Sequence, residues 1–403
     1  MASPLKDVKI LDFMWVMAGP AATRMLADYG ATIVRVESPL RVDIARTLQP
    51  FRRNRPDPEG SALFGNCNAG KYGLTLDLGN PRAREVIFDL VRWADVVCES
   101  FSPKAMRAWG LGYDSLREIK PDIIMVSTCL MGQTGPLSSF AGFGNLAAAL
   151  AGFHHLTGWP DRPPAGPFGA YTDYVAPRFT AIAVFAALEY RRRTGKGQYI
   201  DQSQTESSLH FLAPALLEYS ANGHSQIRAG NRDPRFAPHG VYPAKGKDRW
   251  VAIVCKTDEH FRTLCSLMGR RELAGDPRFA ALPARLENAE QLDALVTDWT
   301  RTVDELEMEK RLQANSIPAH VVENSREYLN DPQVVHREHF VELSHPHQGT
   351  TFVEGPRAKL SRTPAKVGRA APTLGQDNQY VLEEILGYDA ERIGELVAAG
   401  ALG

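Results

Sequence analysis

Short apolar runs alternate with amphipathic stretches through the first half of the chain. The runs at 8–11, 32–36 (closing on Glu37), 74–76, 96–98 and 123–127 read as strands. Residues 21–29, closed by Gly30, and 81–94 read as helices. Strand and helix signals in alternation predict βαβ units around a mainly parallel sheet. Helical spacing returns at 147–156, 175–192 and 202–219, with the turn Thr194-Gly-Lys-Gly197 and a strand at 198–200 between the last two. In the second of these, Val175, Phe179, Ile182, Phe185, Ala186 and Tyr190 recur at the helical period.

Near residue 222 the pattern changes. Residues 222–240 are polar and rich in Gly, Pro and Arg, which reads as a linker. A smaller α+β unit follows, with a strand at 249–255 and helices at 260–268 and 289–314. After Asp331-Pro332 a second polar stretch runs to about 371, with a strand signal at 351–353, and 379–386 and 390–398 read as helices. The expected organisation is therefore a large domain over 1–221, a linker at 222–239, a small domain over 240–325, and a return through 326–403. No internal repeat or low-complexity tract interrupts it.

Composition narrows the classes of function. The 403 residues are 44% apolar and 23% charged with a net charge of −1, the balance of an ordinary globular protein. No basic block supports nucleic-acid or membrane-surface binding, and no apolar run has the length of a membrane span. Met1-Ala-Ser-Pro-Leu-Lys-Asp7 holds no signal-peptide core, so a cytoplasmic location is expected. Five cysteines at unrelated spacings, without Cys-x-x-Cys, fit reduced thiols and neither disulfides nor a metal site. Cys98 reads as a buried strand residue, whereas Cys129 follows a strand at a position open to a nucleophile.

A dinucleotide site is the first reading to test. The first strand-to-helix turn, Met14-Trp-Val-Met-Ala-Gly-Pro-Ala-Ala22, lacks the Gly-x-Gly-x-x-Gly that brings a pyrophosphate onto a helix. Glu37 stands where a ribose-binding acid would, but the glycine turn is missing, and no Walker-type loop is present. Asp173 is the stronger candidate for chemistry. It follows the Gly/Pro-rich loop in Pro167-Phe-Gly-Ala-Tyr-Thr-Asp-Tyr-Val-Ala-Pro177 and precedes the long helix. An aspartate there serves either as a helix N-cap or as a reactive carboxylate. Pro177, favoured at a first helical position, predicts a helix start near Ala176 and leaves Asp173 in the loop.

Motifs recur in a fixed order along the chain. They are Val8-Lys-Ile-Leu-Asp-Phe13, Ala18-Gly-Pro20, Leu26-Ala-Asp-Tyr-Gly-Ala31, Val34-Arg-Val-Glu37, Gly70-Lys71 before Leu74-Thr-Leu-Asp-Leu78, and Ala94-Asp-Val-Val97. Gly110-Leu-Gly-Tyr113, Gly132-Gln-Thr-Gly-Pro136, the Asp173 stretch, Arg193-Thr-Gly-Lys-Gly-Gln-Tyr-Ile-Asp201 and Ala371-Pro-Thr-Leu-Gly375 follow. Together they resemble the class III CoA-transferases, the formyl-CoA transferase and carnitine CoA-transferase family, over essentially the whole chain.

The resemblance implies an α/β fold: a Rossmann-like large domain built from both chain ends, a small α+β domain inserted, and two chains interlinked in a dimer. It implies no bound cofactor, a coenzyme A thioester as substrate, and a homodimer or a heteromer as the assembly. Asp173 becomes the nucleophile, attacking an acyl-CoA to form an anhydride and then an aspartyl-CoA thioester that passes CoA to a free acid. Val16, Arg35, Arg46, Lys71, Ser100 and Arg107 become candidates to hold CoA, with Arg41 and Lys104 nearby. Met17, Phe143, Gly169 and Tyr171 become candidate walls of the substrate pocket, and Gly132, Gly135, Gly142 and Gly169 candidate sources of oxyanion donors.

Departures from the family pattern shape the expected chemistry. Met17 stands where formyl-CoA transferase has a glutamine, Ser100 where relatives have Asn, and Phe143-Gly144 where relatives have Tyr-Asp or His-Asp. The mobile glycine-rich loop has no counterpart at 241–247. Formyl/oxalyl exchange is therefore not expected. An α-methylacyl-CoA racemase of the same fold needs a His and an Asp on opposite faces of the substrate; Phe143 and Gly144 supply neither, and His154 and His155 lie further along. A non-catalytic partner subunit is the remaining alternative. Pro238-His-Gly-Val-Tyr-Pro243 and Asp248-Arg-Trp-Val-Ala-Ile253 resemble aromatic-succinate CoA-transferases, which suggests succinyl-CoA as donor.

Overall fold

Strands β1 (Lys9–Phe13), β2 (Thr32–Glu37), β3 (Tyr72–Thr75), β4 (Val96–Glu99), β5 (Ile124–Cys129) and β6 (Tyr199–Ser203) pair in parallel in the order β3-β2-β1-β4-β5-β6. The structure is a computed structural model that describes residues 3–38 and 40–402. Met1, Ala2, Pro39 and Gly403, which include the outer ends of the expected large domain, lie outside the described residues. Strands β1, β2, β4 and β5 are buried on both faces because both faces are covered, whereas the edge strand β6 is polar and only partly buried. Leu11, Val34, Val36 and Val97 point into one core with Ile87 and Leu90, whereas Ile10, Ile33, Val96 and Val126 point into the other with Leu26, Ala181 and Val184.

The covering helices of the first half are α1 (Ala18–Asp28), α2 (Ala62–Asn68), α3 (Pro81–Trp93), α4 (Ala105–Ala108), α5 (Tyr113–Ile119), α6 (Gly144–Ala151), α7 (Phe153–Leu156) and α8 (Tyr171–Thr194). Helix α3 starts as its sequence dictates, with Asn80 capping and Pro81 in the first turn. It shares its core with Leu396 of the helix Ala390–Ala398, so the chain's two ends build one α/β unit. Helices α1 and α8 lie against each other on the opposite face.

This unit comprises residues up to 154, 166–226 and those from 335 onward. It also carries the antiparallel pair β10 (Phe340–His345) and β11 (Gly349–Glu354). The second unit comprises 227–334 and also 155–165, a piece that the linear reading assigned to the large domain. Its antiparallel sheet β7-β8-β9 (His239–Pro243, Trp250–Val254, Ala319–Val321) packs with helices on Phe261, Leu264, Phe279, Leu292, Val296 and Met308.

Several expected helices differ, among them 202–219, which divides into Gln204–Leu209 and Ala213–Asn222. Residues 147–156 divide at Gly152, whose φ of 98° ends α6. Residues 289–314 divide into Ala289–Thr300 and Glu305–Ala314, because the Asp304 carboxylate caps the second through the N–H groups of Leu306 and Glu307. Helix α8 begins at Tyr171, before the position Pro177 predicts, and Pro177 lies inside it. The missing proline N–H leaves the carbonyl four residues back, that of Asp173, without its helical hydrogen bond.

Candidate active site

In an open parallel sheet, the crevice forms where connections leave neighbouring strands in opposite directions. Here that point lies between β1 and β4. The segments after their carboxyl ends, Trp15–Ala18 and Ser100–Ser102, line a cavity of about 200 Å³ together with Phe143, Asp173 and Gln204. The Trp15 N–H donates to Ser100 Oγ at 2.8 Å and ties the two loops together. Val16 has φ 66°, a left-handed conformation that a β-branched side chain rarely adopts. Its N–H donates to both Asp43 carboxylate oxygens at 3.0 and 3.2 Å, and Asp43 is paired with the buried Arg35. A buried ion pair thus holds the first loop of the site in a strained shape.

Asp173 is 7% exposed and lies in the first turn of α8. Its carboxylate rests against Gly144, the first residue of α6, and accepts that residue's N–H. A Cβ on Gly144 would stand 2.6 Å from Asp173 Oδ1, so only glycine permits the approach. Thr172 Oγ1 donates to the Gly144 carbonyl at 3.1 Å and locks α6 to α8. Burial raises the Asp173 carboxyl to about 6, and the Gly144 N–H opposes the rise. The N-termini of α6 and α8 both favour the ionised form. No Lys, Arg or His pairs with this carboxylate among the described residues.

Val16, Met17, Ser100, Phe143 and Asp173 are thus brought together. Lys71, Arg35 and Arg46, expected as candidates to hold CoA, are not: none of the three lines this cavity. Lys71 is 0% exposed, and its Nζ donates to Asp12 Oδ2, Pro20 O and Asn68 Oδ1, each at 2.9 Å, filling all three donors. Arg35 is spent on Glu37, Met14 O and Asp43, and Arg46 on Glu37, Glu59 and Pro372 O.

Arg107 is exposed and lines an adjoining cavity of about 280 Å³ with Glu99, Tyr113, Ser127, Gln133 and Tyr199; Ser102 lines both. Glu99 is 2% exposed, and burial raises its carboxyl to about 7 while the Ser127 hydroxyl and the Phe101 N–H oppose. Gly169 and Tyr171 line neither cavity. Tyr171 packs edge-on to Phe153 instead, with ring centres 5.0 Å apart. The Cys129 thiol reaches the main cavity, but burial pushes it up to about 11, so it is not an activated nucleophile.

Sequence reasoning missed Asp43, the Gly144 N–H and a smaller pocket of about 50 Å³ on the α1 side of Asp173. Among the described residues no group of His, Cys, Asp and Glu could hold a metal ion. Among the described residues no helix is long and apolar enough to cross a membrane.

Comparisons with known proteins bear on this site. Residues 5–378 match the family model of CoA-transferase family III. The chain is similar to the succinyl-CoA–D-citramalate CoA-transferase of Chloroflexus aurantiacus, with 33% identity over 98% of this chain and 97% of that one. It is also similar to the succinyl-CoA–L-malate CoA-transferase beta subunit of the same organism, with 33% identity over 98% and 96%. Among solved structures, a CaiB/BaiF family protein from Brucella suis superposes with a TM-score of 0.88 at 31% identity, covering 96% of this chain and all of that one.

Proposed function

The chain belongs to CoA-transferase family III, and from that premise we propose that it moves CoA from an acyl-CoA donor to a free carboxylic acid through covalent intermediates on Asp173. The carrying observation is that Asp173 is, among the described residues, the one carboxylate lining the cavity at the β1–β4 switch point. Its carboxylate attacks the donor thioester; the C–S bond breaks, CoA leaves as thiolate, and a mixed anhydride remains. The thiolate attacks the aspartyl carbonyl, releasing the donor acid and forming aspartyl-CoA thioester. The acceptor carboxylate attacks this carbonyl, expelling thiolate and forming a second anhydride. Thiolate then attacks the acceptor's acyl carbon, and the Asp173 carboxylate is restored. Each attack is made by an anion, so no step needs a proton to move, and the route divides one slow exchange into activated ones.

Each tetrahedral intermediate carries an oxyanion beside the Gly144 N–H and the N-terminus of α6, where charge is favoured. Racemisation needs a second base on the opposite face, and among the described residues no His, Glu, Lys or Arg lines this main cavity. The relatives named for D-citramalate and L-malate support succinyl-CoA as donor and a dicarboxylic acid as acceptor.

Intact mass after mixing with succinyl-CoA and a panel of other acyl-CoA thioesters, followed by hydroxylamine trapping and peptide mapping, tests the reading. A hydroxamate at Asp173, absent from Asp173→Asn, is the expected result. CoA binding without any adduct, for every thioester, would overturn it.

A further inference from the structure

The smaller pocket behind Asp173 is a groove between two helices of the same unit. Met17 and, on α1, Ala21, Arg24 and Asp28 form one side; Asp173, Pro177 and Arg178 of α8 form the other. Asn66 and the segment from Glu354 to Arg357 close it. Asp173 and Met17 line both this groove and the main cavity, so a group attached to Asp173 has access to each.

The charges in the groove are unequally satisfied. Glu354 accepts from Arg357 at 2.6 Å and from Asn66 at 2.9 Å. Asp28 faces Arg24 Nε at 3.7 Å, too far for a hydrogen bond. Arg24 Nε and Asp28 Oδ1 are buried without a hydrogen-bond partner and face each other across that gap. Arg178 has no ion pair within 4 Å among the described residues; burial and the neighbouring Arg357 press against its charge, and Glu354, whose own hydrogen bonds go to Arg357 and Asn66, favours it.

We infer that this groove is the subsite for the distal carboxylate of a dicarboxylic acyl group, with Arg178 as its receptor. The inference rests on the transferase reading for its place in the reaction and adds to it the residue that selects the substrate class. Arg178 lies five positions beyond Asp173 on α8, an axial rise of about 7.5 Å between their backbones, and both side chains line the groove. Donor and acceptor acyl groups are bound to Asp173 in turn, so one arginine reads both. A planar guanidinium matches a carboxylate in two parallel hydrogen bonds, and Lys does so less well.

Calorimetric titration of the full chain with succinate, glutarate and malate, and with butyrate and valerate as single-carboxylate controls, tests this without requiring turnover. The wild type is expected to prefer diacids, and Arg178→Gln to weaken diacid binding roughly 10- to 100-fold while leaving the monoacids unchanged. Arg178→Lys should restore part of the difference. An Arg178→Gln variant that keeps the preference, or a wild type that shows none, overturns the inference. If the preference depends on Arg178 but Asp173 never forms an adduct, the subsite stands and the transferase chemistry falls.

Discussion

Asp173 is asked to be both buried and ionised, and the two demands conflict. Its carboxyl, held at about 6, keeps a proton in the folded state over a pH range in which the unfolded chain has released it. Stability contributed by this group is therefore lost as pH rises from about 4 to 6, and the full cost is present above that. Asp173→Asn should be more stable than wild type at pH 8, by ~1–3 kcal/mol in denaturant titrations, with the difference vanishing near pH 4. Adduct formation by the wild type should rise with pH through about 6 and then level. Equal stability of the two proteins at pH 8 would show that the charge is not penalised. Gly144→Ala tests the approach directly: its Cβ would displace the carboxylate, and transfer should fall ~100-fold with the fold intact by circular dichroism. Asp173 was legible because Gly/Pro-rich loop, aspartate and helix follow one another in the chain. Gly144 was not, because its role arises only where α6 meets α8. The buried Lys71, Arg35 and Arg46 misled for the same reason. Whether a cation faces water or a carboxylate distant in the chain, as Lys71 faces Asp12 across 59 positions, is a tertiary fact.

At the level of elements, the β1–α1 connection is the part of the site under most tension. Any side chain with a Cβ pays for φ 66°, and Val pays most, so Val16 stays there only because Asp43 holds its N–H and Arg35 holds Asp43. Val16→Gly should therefore gain stability, by up to ~1 kcal/mol, while lowering kcat/KM for CoA transfer as the loop loses its single shape. Val16→Ala should show less of both effects. A Gly variant that is less stable than Val16→Ala would remove strain from the account. The strands and most helices were readable because covered parallel strands are apolar throughout and helices repeat their apolar positions. The start of α8 was hidden by Pro177, which lies inside the helix and leaves the Asp173 carbonyl without its helical hydrogen bond. The break between Thr300 and Glu305 was written locally: Asp304 followed by Glu at 305 and 307 is a helix-start signal inside an otherwise helical run.

For the whole molecule, the largest apolar expenditure lies on the outside of the first unit. Helix α8 buries one side in the sheet's core and leaves Tyr174, Ile182 and Phe185 exposed on the other, Ile182 at 63%. Leu146 and Leu150 of α6 and Leu216, Leu217 and Tyr219 of the helix Ala213–Asn222 are exposed as well, Leu217 at 66%. Helices α6 and α8 and the helix Gln204–Leu209 pack on one another, so these residues are not scattered singly. Exposed apolar side chains gathered on packed helices predict an association surface. The association expected from the family resemblance is a dimer, and light scattering on the eluting protein should give twice the 44.5 kDa chain mass. Ile182→Asp places a charge in that surface, one helical turn beyond Arg178, and should shift the protein toward monomer or toward aggregation. Because Asp173 and Arg178 share a helix with Ile182, loss of the partner should also slow transfer more than it alters secondary structure. A wild type that elutes at the single-chain mass, with Ile182→Asp indistinguishable from it, would leave the exposed face unaccounted for and remove assembly from the mechanism.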